Sequence, residues 1–323
     1  MQRIEKYGSR FRKRPNPTLS AIVFPLNSSR ERARLVELLT RLEINQMITL
    51  IDTSKLESTA TPEGVARLIL NPSTGKRTEV TRYEVEAGKA HRVAPSDRTR
   101  VVYILEGNGA EVSFTSAGKT STYKAARRNG VYLEPGEEAV IKASSGPLVL
   151  LHVSVPKHTG KAIDVSGGTP AGYFFDESKL QALVDERGIR TRTFWVNKET
   201  GLSGSWDLQL GRMLYGPKGH SPRHMHNVSK TSSIIPEHFY FIETGTGEVK
   251  HDNGSIPVGP GSMVFIPAGE WHQLLASDSG FDYIEFQAPF DFVTTMDHDP
   301  LGKNWYIQGT DDGTGKPKLW VQS

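Results

Sequence analysis

The chain has 323 residues, 37% hydrophobic and 23% charged, with a formal charge of +3 and no cysteine. That balance describes a globular protein with room for two ordinary domains, and it gives no footing for a nucleic-acid partner. The missing cysteines exclude disulfides, thiolate metal sites and cysteine nucleophiles. No apolar run approaches the ~20 residues needed to span a bilayer, and the basic N-terminus lacks a hydrophobic signal core. The expectation is a cytoplasmic protein with no membrane association.

Met1 to Asn27 is basic and then hydrophobic from Leu19 to Leu26, an arm ending in a strand. Ser28 and Glu31 have capping-box spacing, and Leu35, Leu38, Leu39 and Leu42 follow at helical spacing, which predicts an amphipathic helix from about Ser29 to Glu43. From Ile48 the texture changes to short alternating runs broken by Gly, Pro and Asn. Ile48–Ile51, Glu79–Glu86, Val101–Leu105, Ala110–Phe114, Val131–Leu133 and Leu148–Val155 all read as strands. Strands at this density predict an all-β sandwich or barrel. Pro156 to Gly172 reads as a linker. It divides the chain into 1–160, with the arm, the helix and a first β-domain, and 161–323, a second β-domain. Asp176 is placed to cap a short helix with Leu180, Leu183 and Val184 on its apolar side and Gly188 at its end. Strand texture then runs from Thr191 to about Phe292, and Leu319-Trp320-Val321 closes a turn-rich tail that docks on the body.

The two halves repeat one another. Glu106-Gly107-Asn108-Gly109-Ala110-Glu111-Val112 matches Thr244-Gly245-Thr246-Gly247-Glu248-Val249 closely, and Val131 to Ala139 matches Val264 to His272 without a gap. Two copies of one β-fold explain this most simply.

Six of the ten histidines fall between Gly219 and His272. His224 and His226 stand at i and i+2, so a strand projects both to one face, and His238 and His272 follow on later strands. Histidine is rare and a common metal ligand, so this is a metal-site pattern. His220 lies off the spacing, and His251 beside Asp252-Asn253-Gly254 belongs to an exposed hairpin turn. The insertion Asn227 to Pro236 reads either as a loop over the site mouth or as plain surface. There is no phosphate-binding glycine loop after a strand and no Gly-x-Ser-x-Gly elbow.

Gly219 to His226, His238 to Gly247 and Gly261 to His272 together resemble the signature regions of the cupin superfamily, specifically its two-domain (bicupin) members. The resemblance covers roughly 205–290 well and 60–155 weakly. It implies two jelly-roll β-barrels with a few peripheral helices and a divalent metal held by His224, His226, His238 and His272. It also implies a glutamate at the position that His238 occupies here. Glu237 is one residue away, where only a bulge would turn it inward, so His238 is preferred. In the first half Arg100 and Ala139 stand where ligands would, and only His91 remains, so that barrel is expected to be metal-free and structural. His152 reads as a satisfied core histidine.

The histidine-rich shell, together with the resemblance, implies an Fe(II)-dependent dioxygenase that cleaves a chelating, anionic small molecule, aromatic ones included. An isomerase, lyase or hydrolase using Mn(II), Ni(II) or Zn(II) as a Lewis acid, or a non-catalytic binding protein, are the alternatives. Glu237, Tyr240 and Glu270 are candidate bases, Tyr240 and Trp271 candidate pocket walls, and Arg212, Arg223 and Lys218 candidate partners for a substrate carboxylate. A homodimer is the expected assembly.

Overall fold

A computed structural model describes residues 48–71, 77–158, 171–197, 206–230, 232, 234–297 and 304–320. The N-terminal arm, the Ser29–Glu43 helix and most of the linker lie outside them.

The first half supplies β1 (Thr49–Asp52), β2 (Thr59–Thr61), β3 (Gly64–Leu70), β4 (Glu79–Val85), β5 (Ala90–Val93), β6 (Arg98–Glu106), β7 (Ala110–Ser116), β8 (Lys119–Ala125), β9 (Asn129–Leu133), β10 (Glu138–Ala143) and β11 (Leu148–Pro156). The second supplies β12 (Tyr173–Asp176), β13 (Ala182–Asp185), β14 (Arg190–Val196), β15 (Gln209–Tyr215), β16 (His224–Val228), β17 (Glu237–His251), β18 (Gly254–Val258), β19 (Ser262–Ile266), β20 (His272–Ala288), β21 (Phe292–Met296), β22 (Trp305–Ile307) and β23 (Leu319–Trp320). The architecture is all-β, and the helical pieces among the described residues are three-residue 3₁₀ turns.

In the first half the sheet β5-β10-β7-β8 closes over β12-β9-β6-β11-β4-β3-β2, with Val102, Ile104, Val112, Ile141 and Leu150 between them. In the second half a single 12-stranded sheet follows the order β1-β19-β17-β20-β15-β14-β13-β22-β23, with β16, β18 and β21 attached off that path. It curls around Tyr240, Ile242, Val264, Leu274 and Tyr283. The halves exchange strands: β1 pairs with β19, and β12 pairs with β9.

A third core joins the two barrels. Strand alternation sends Val101, Tyr103 and Leu105 of β6 outward while Val102 and Ile104 point in. The same alternation sends Phe239 and Phe241 of β17 outward while Tyr240 and Ile242 point in. The outward sets share one buried cluster, in which Tyr103 of the first half stacks on Trp195 of the second at 4.1 Å. Each fully buried aromatic or aliphatic side chain there contributes about 1.5–3 kcal/mol of transfer free energy. This burial on both faces explains why these strands read as near-continuous apolar runs. The described residues all fall within one compact unit.

The helix expected after Asp176 is corrected. Asp176 does cap a turn, accepting from the Ser178 amide at 3.1 Å, but the turn ends at Lys179. Leu183 and Val184 then enter β13, paired with β14 and β22. Two open sheet edges offered this short apolar segment more backbone hydrogen bonds than an isolated helix of its length can hold.

Candidate metal centre

The site forms where β16 crosses the start of β20, with His224 directly opposite His272. His224 and His226 share a face of β16, and the three imidazoles offer nitrogen atoms that all lie within 4.8 Å of one another. Each ring is anchored through Nδ1: His224 to the Pro222 carbonyl at 2.8 Å, His226 to Thr294 Oγ1 at 3.0 Å, and His272 to the Glu270 carbonyl at 2.9 Å. A carbonyl only accepts, so Nδ1 carries the hydrogen in His224 and His272, and Nε2 keeps its lone pair. Burial holds all three rings neutral, pushing His224 down to about 4 and His226 and His272 well below the usual histidine range. Neutral imidazoles oriented through Nδ1 are the donor type that suits a divalent ion of the Fe, Mn, Ni or Zn kind.

His238 lies beside the triad, its ring 4.3 Å from that of His226 and 5.7 Å from that of His272. Its Nε2, however, sits 3.1 Å from Glu285 Oε1 and 3.1 Å from Gln287 Nε2, so three of the four expected imidazoles converge and the fourth is turned aside. The partners come from β20, where Glu285 and Gln287 alternate with the outward Ile284 and Phe286. Burial pushes the Glu285 carboxyl up, but the Arg192 guanidinium and His238 outweigh it and hold it at about 2. Gln287 is the end of a buried amide chain in which Asn197 Nδ2 donates to Gln209 Oε1 at 3.0 Å and Gln209 Nε2 donates to Gln287 Oε1 at 2.7 Å. Tyr240 lies two residues from His238 on the same face of β17, and its hydroxyl is 3.0 Å from His272 Nε2. Burial raises that phenol well above its ordinary range, so it stays protonated and donates.

Glu237 is corrected as a site residue. The ladder does shift register between Ile242 and Thr244, but Glu237 still faces out of the barrel. Its carboxylate accepts from the Arg77 amide at 2.7 Å, the Thr78 amide at 2.9 Å and Thr78 Oγ1 at 2.7 Å, all in the first half. Trp271 is likewise corrected as a wall: it lies beneath the Arg223 guanidinium at 4.6 Å and is not among the residues lining the cavity. Arg212 pairs with Asp282 and Glu177, Arg223 with Asp252 and Asp297, and Lys218 with Asp278, all away from the cavity. His220 binds Arg187, and no described residue of Asn227–Pro236 is among those lining the cavity. In the first barrel Arg100 donates to the carbonyls of Ala94, Glu134 and Glu137, while His91 meets Glu63 and His152.

The cavity above the triad has a volume of about 290 Å³. Its walls include Arg190, Arg192, Gln209, Glu285 and Gln287, none of which sequence reasoning singled out. The available signal was the alternation Tyr283-Ile284-Glu285-Phe286-Gln287, where a charge and an amide interrupt a strand otherwise apolar on both faces. Arg190 and Arg192 came instead from a strand that sequence separation placed far from the histidines.

Residues 211–280 match the cupin domain family. No curated protein sequence matches the chain. Among solved structures, oxalate decarboxylase of Bacillus subtilis is similar at 11% identity and a TM-score of 0.60, covering 87% of this chain and 88% of that one. Protein Ylba of E. coli is similar at 17% identity and a TM-score of 0.56, covering 75% and 90%. The coconut allergen cocosin is similar at 11% identity and a TM-score of 0.58, covering 79% and 89%. At these identities the likeness is one of fold.

Proposed function

We propose that the second barrel of this chain, whose residues 211–280 match the cupin domain family, is a mononuclear metalloenzyme site acting on a small, anionic, chelating molecule. The observation that carries this reading is the convergence of three neutral imidazoles, His226 and His272 buried and His224 half-buried, each anchored through Nδ1. Three neutral ligands leave the charge of a divalent ion uncancelled, which favours an anion bound through two oxygens. The reaction we favour is oxygen-dependent cleavage of that molecule by an Fe(II) enzyme. When bound, Fe(II) supplies the one-electron chemistry that spin-paired organic molecules and dioxygen lack between them, and a redox-inert ion supplies Lewis acidity.

The protein's own residues set the surroundings. The Tyr240 hydroxyl, now donating to His272 Nε2, is placed to give a hydrogen bond or a proton to an oxygen held at the triad. The amide chain from Asn197 directs the Gln287 NH₂ toward the same space. Arg192 and Glu285 neutralise each other, so the cavity wall adds no net charge from this pair. The sub-barrel position of the triad, walled by Tyr215, Tyr283 and Phe292, limits water around it.

A second reading, Lewis-acid catalysis with Mn(II), Ni(II) or Zn(II), is favoured by one observation. His238 and Glu285 form an imidazole–carboxylate pair within reach of the triad, an arrangement suited to general acid–base work. The test is metal analysis of the purified protein, then anaerobic loading with Fe(II) and oxygen-uptake measurements against catecholic, salicylate-like and diketone compounds. Oxygen consumption matched to product supports the dioxygenase, and turnover without it transfers the assignment to the second reading.

A further inference from the structure

We infer that the cavity over the triad accepts a single-ring aromatic chelator whose ring bears no further charge. This inference rests on the metal-site reading above. It comes from how the wall is built. Tyr215, Tyr283, Phe292, Trp305 and Trp320 surround the space. At its rim stand Met296 and Leu319, 37% and 50% exposed, so the entrance is apolar as well. Large apolar groups left open around a concave site mark a ligand surface.

Two guanidiniums line the cavity among the described residues, and each is already ion-paired with a carboxylate. Arg190 donates to Asp185 at 2.9 Å and lies over the Trp305 ring at 4.9 Å. Arg192 is paired with Glu285 and lies over the Phe194 ring at 4.5 Å. A second anionic group on the ligand would therefore be buried without a counter-charge, which is costly. The chelating oxygens at the metal are the one place where negative charge is matched.

Size points the same way. An apolar cavity of about 150 Å³ holds benzene. The space here, about 290 Å³, holds one ring with its chelating oxygens and small substituents. A compact dianion such as oxalate would place both its charges at the metal and leave the aromatic walls unfilled.

The test is calorimetric binding to the Zn(II)-loaded full-length protein, in which no redox turnover competes. Catechol should bind at least about tenfold more tightly than protocatechuate, which adds a ring carboxylate, and than oxalate. Glu285→Gln leaves the Arg192 guanidinium unpaired and should narrow the gap between protocatechuate and catechol several-fold. Oxalate or protocatechuate binding as tightly as catechol to the parent protein would overturn the inference, as would failure of catechol to bind. An unchanged gap in a folded Glu285→Gln protein would overturn the neutralised-arginine argument, and the parent comparison stands even where that variant does not fold. Should the protein take up no Zn(II), the metal reading fails by itself. Phenol against para-hydroxybenzoate on the metal-free protein then decides the cavity's preference, with phenol binding expected and equal or tighter para-hydroxybenzoate binding refuting it.

Discussion

Replacing Glu237 by alanine separates a structural carboxylate from a metal ligand. The side chain is buried, 7% exposed, and accepts three hydrogen bonds, two from the Arg77 and Thr78 amides and one from Thr78 Oγ1. These cross from the second barrel to the first. A hydrogen bond to a charged acceptor contributes about 1.5–3 kcal/mol, and a buried donor left without a partner costs about 1–3 kcal/mol. Because the Thr78 hydroxyl can rotate to another acceptor, the losses do not simply add, and about 3–5 kcal/mol is the expected destabilisation. For a chain of this size that is a fall in Tm of roughly 10 °C. Differential scanning calorimetry gives the stability, and metal content by mass spectrometry gives the occupancy. Glu237→Ala should unfold earlier while retaining its metal, and His226→Ala should lose the metal. If Glu237→Ala kept its Tm and lost the metal, the outward orientation of Glu237 and the three-histidine site would both be wrong.

Other expectations are accessible to the same methods. Stripping the metal with a chelator should lower stability by about 2.7 kcal/mol when the free ion stands at 100 times its Kd, and re-addition should restore it in the parent but not in His272→Ala. Glu243, raised to about 7 by burial and by Asp282 against the pull of Arg212, Arg127 and Arg128, has a higher pKa folded than unfolded. Its contribution to stability is complete below the ordinary carboxylate range and is lost as pH rises through about 7. Glu243→Gln should therefore flatten urea-derived stability between pH 5 and 8, with an effect of up to roughly 3 kcal/mol, and an unchanged slope would refute the assignment. At Gly130 an added Cβ would meet Phe175 Cζ at 2.3 Å and the Val102 carbonyl oxygen at 2.7 Å. Gly130→Ala should cost about 1–3 kcal/mol, read as a lower denaturant midpoint, because it pushes Phe175 out of the inter-barrel core.

The all-β architecture was legible because strand alternation is written into local sequence. The second β-fold copy was legible because Val131–Ala139 and Val264–His272 align without a gap, and β9 and β19 begin and end at corresponding residues of that alignment. His224 and His226 were legible for the same reason: two residues at i and i+2 share a face whatever the strand pairs with. Leu183 and Val184 were not, since their spacing suits a helix as well as a strand, and the deciding factor was the open edge of β14.

The sequence by itself determined which residue types face inward on each strand, and with them the four candidate imidazoles, of which three converge in the structure. Tertiary structure alone decided what surrounds them. Whether His238 points at the triad or away depends on Glu285 and Gln287, 47 and 49 residues distant and brought beside it by the β17–β20 ladder. Whether Arg190 and Arg192 are free cations depends on Asp185 and Glu285, set by the register of β14 against its neighbours and the curl of the sheet. A strand's inward face follows from its own period of two, but a buried charge takes its chemistry from partners that only closure of the barrel supplies.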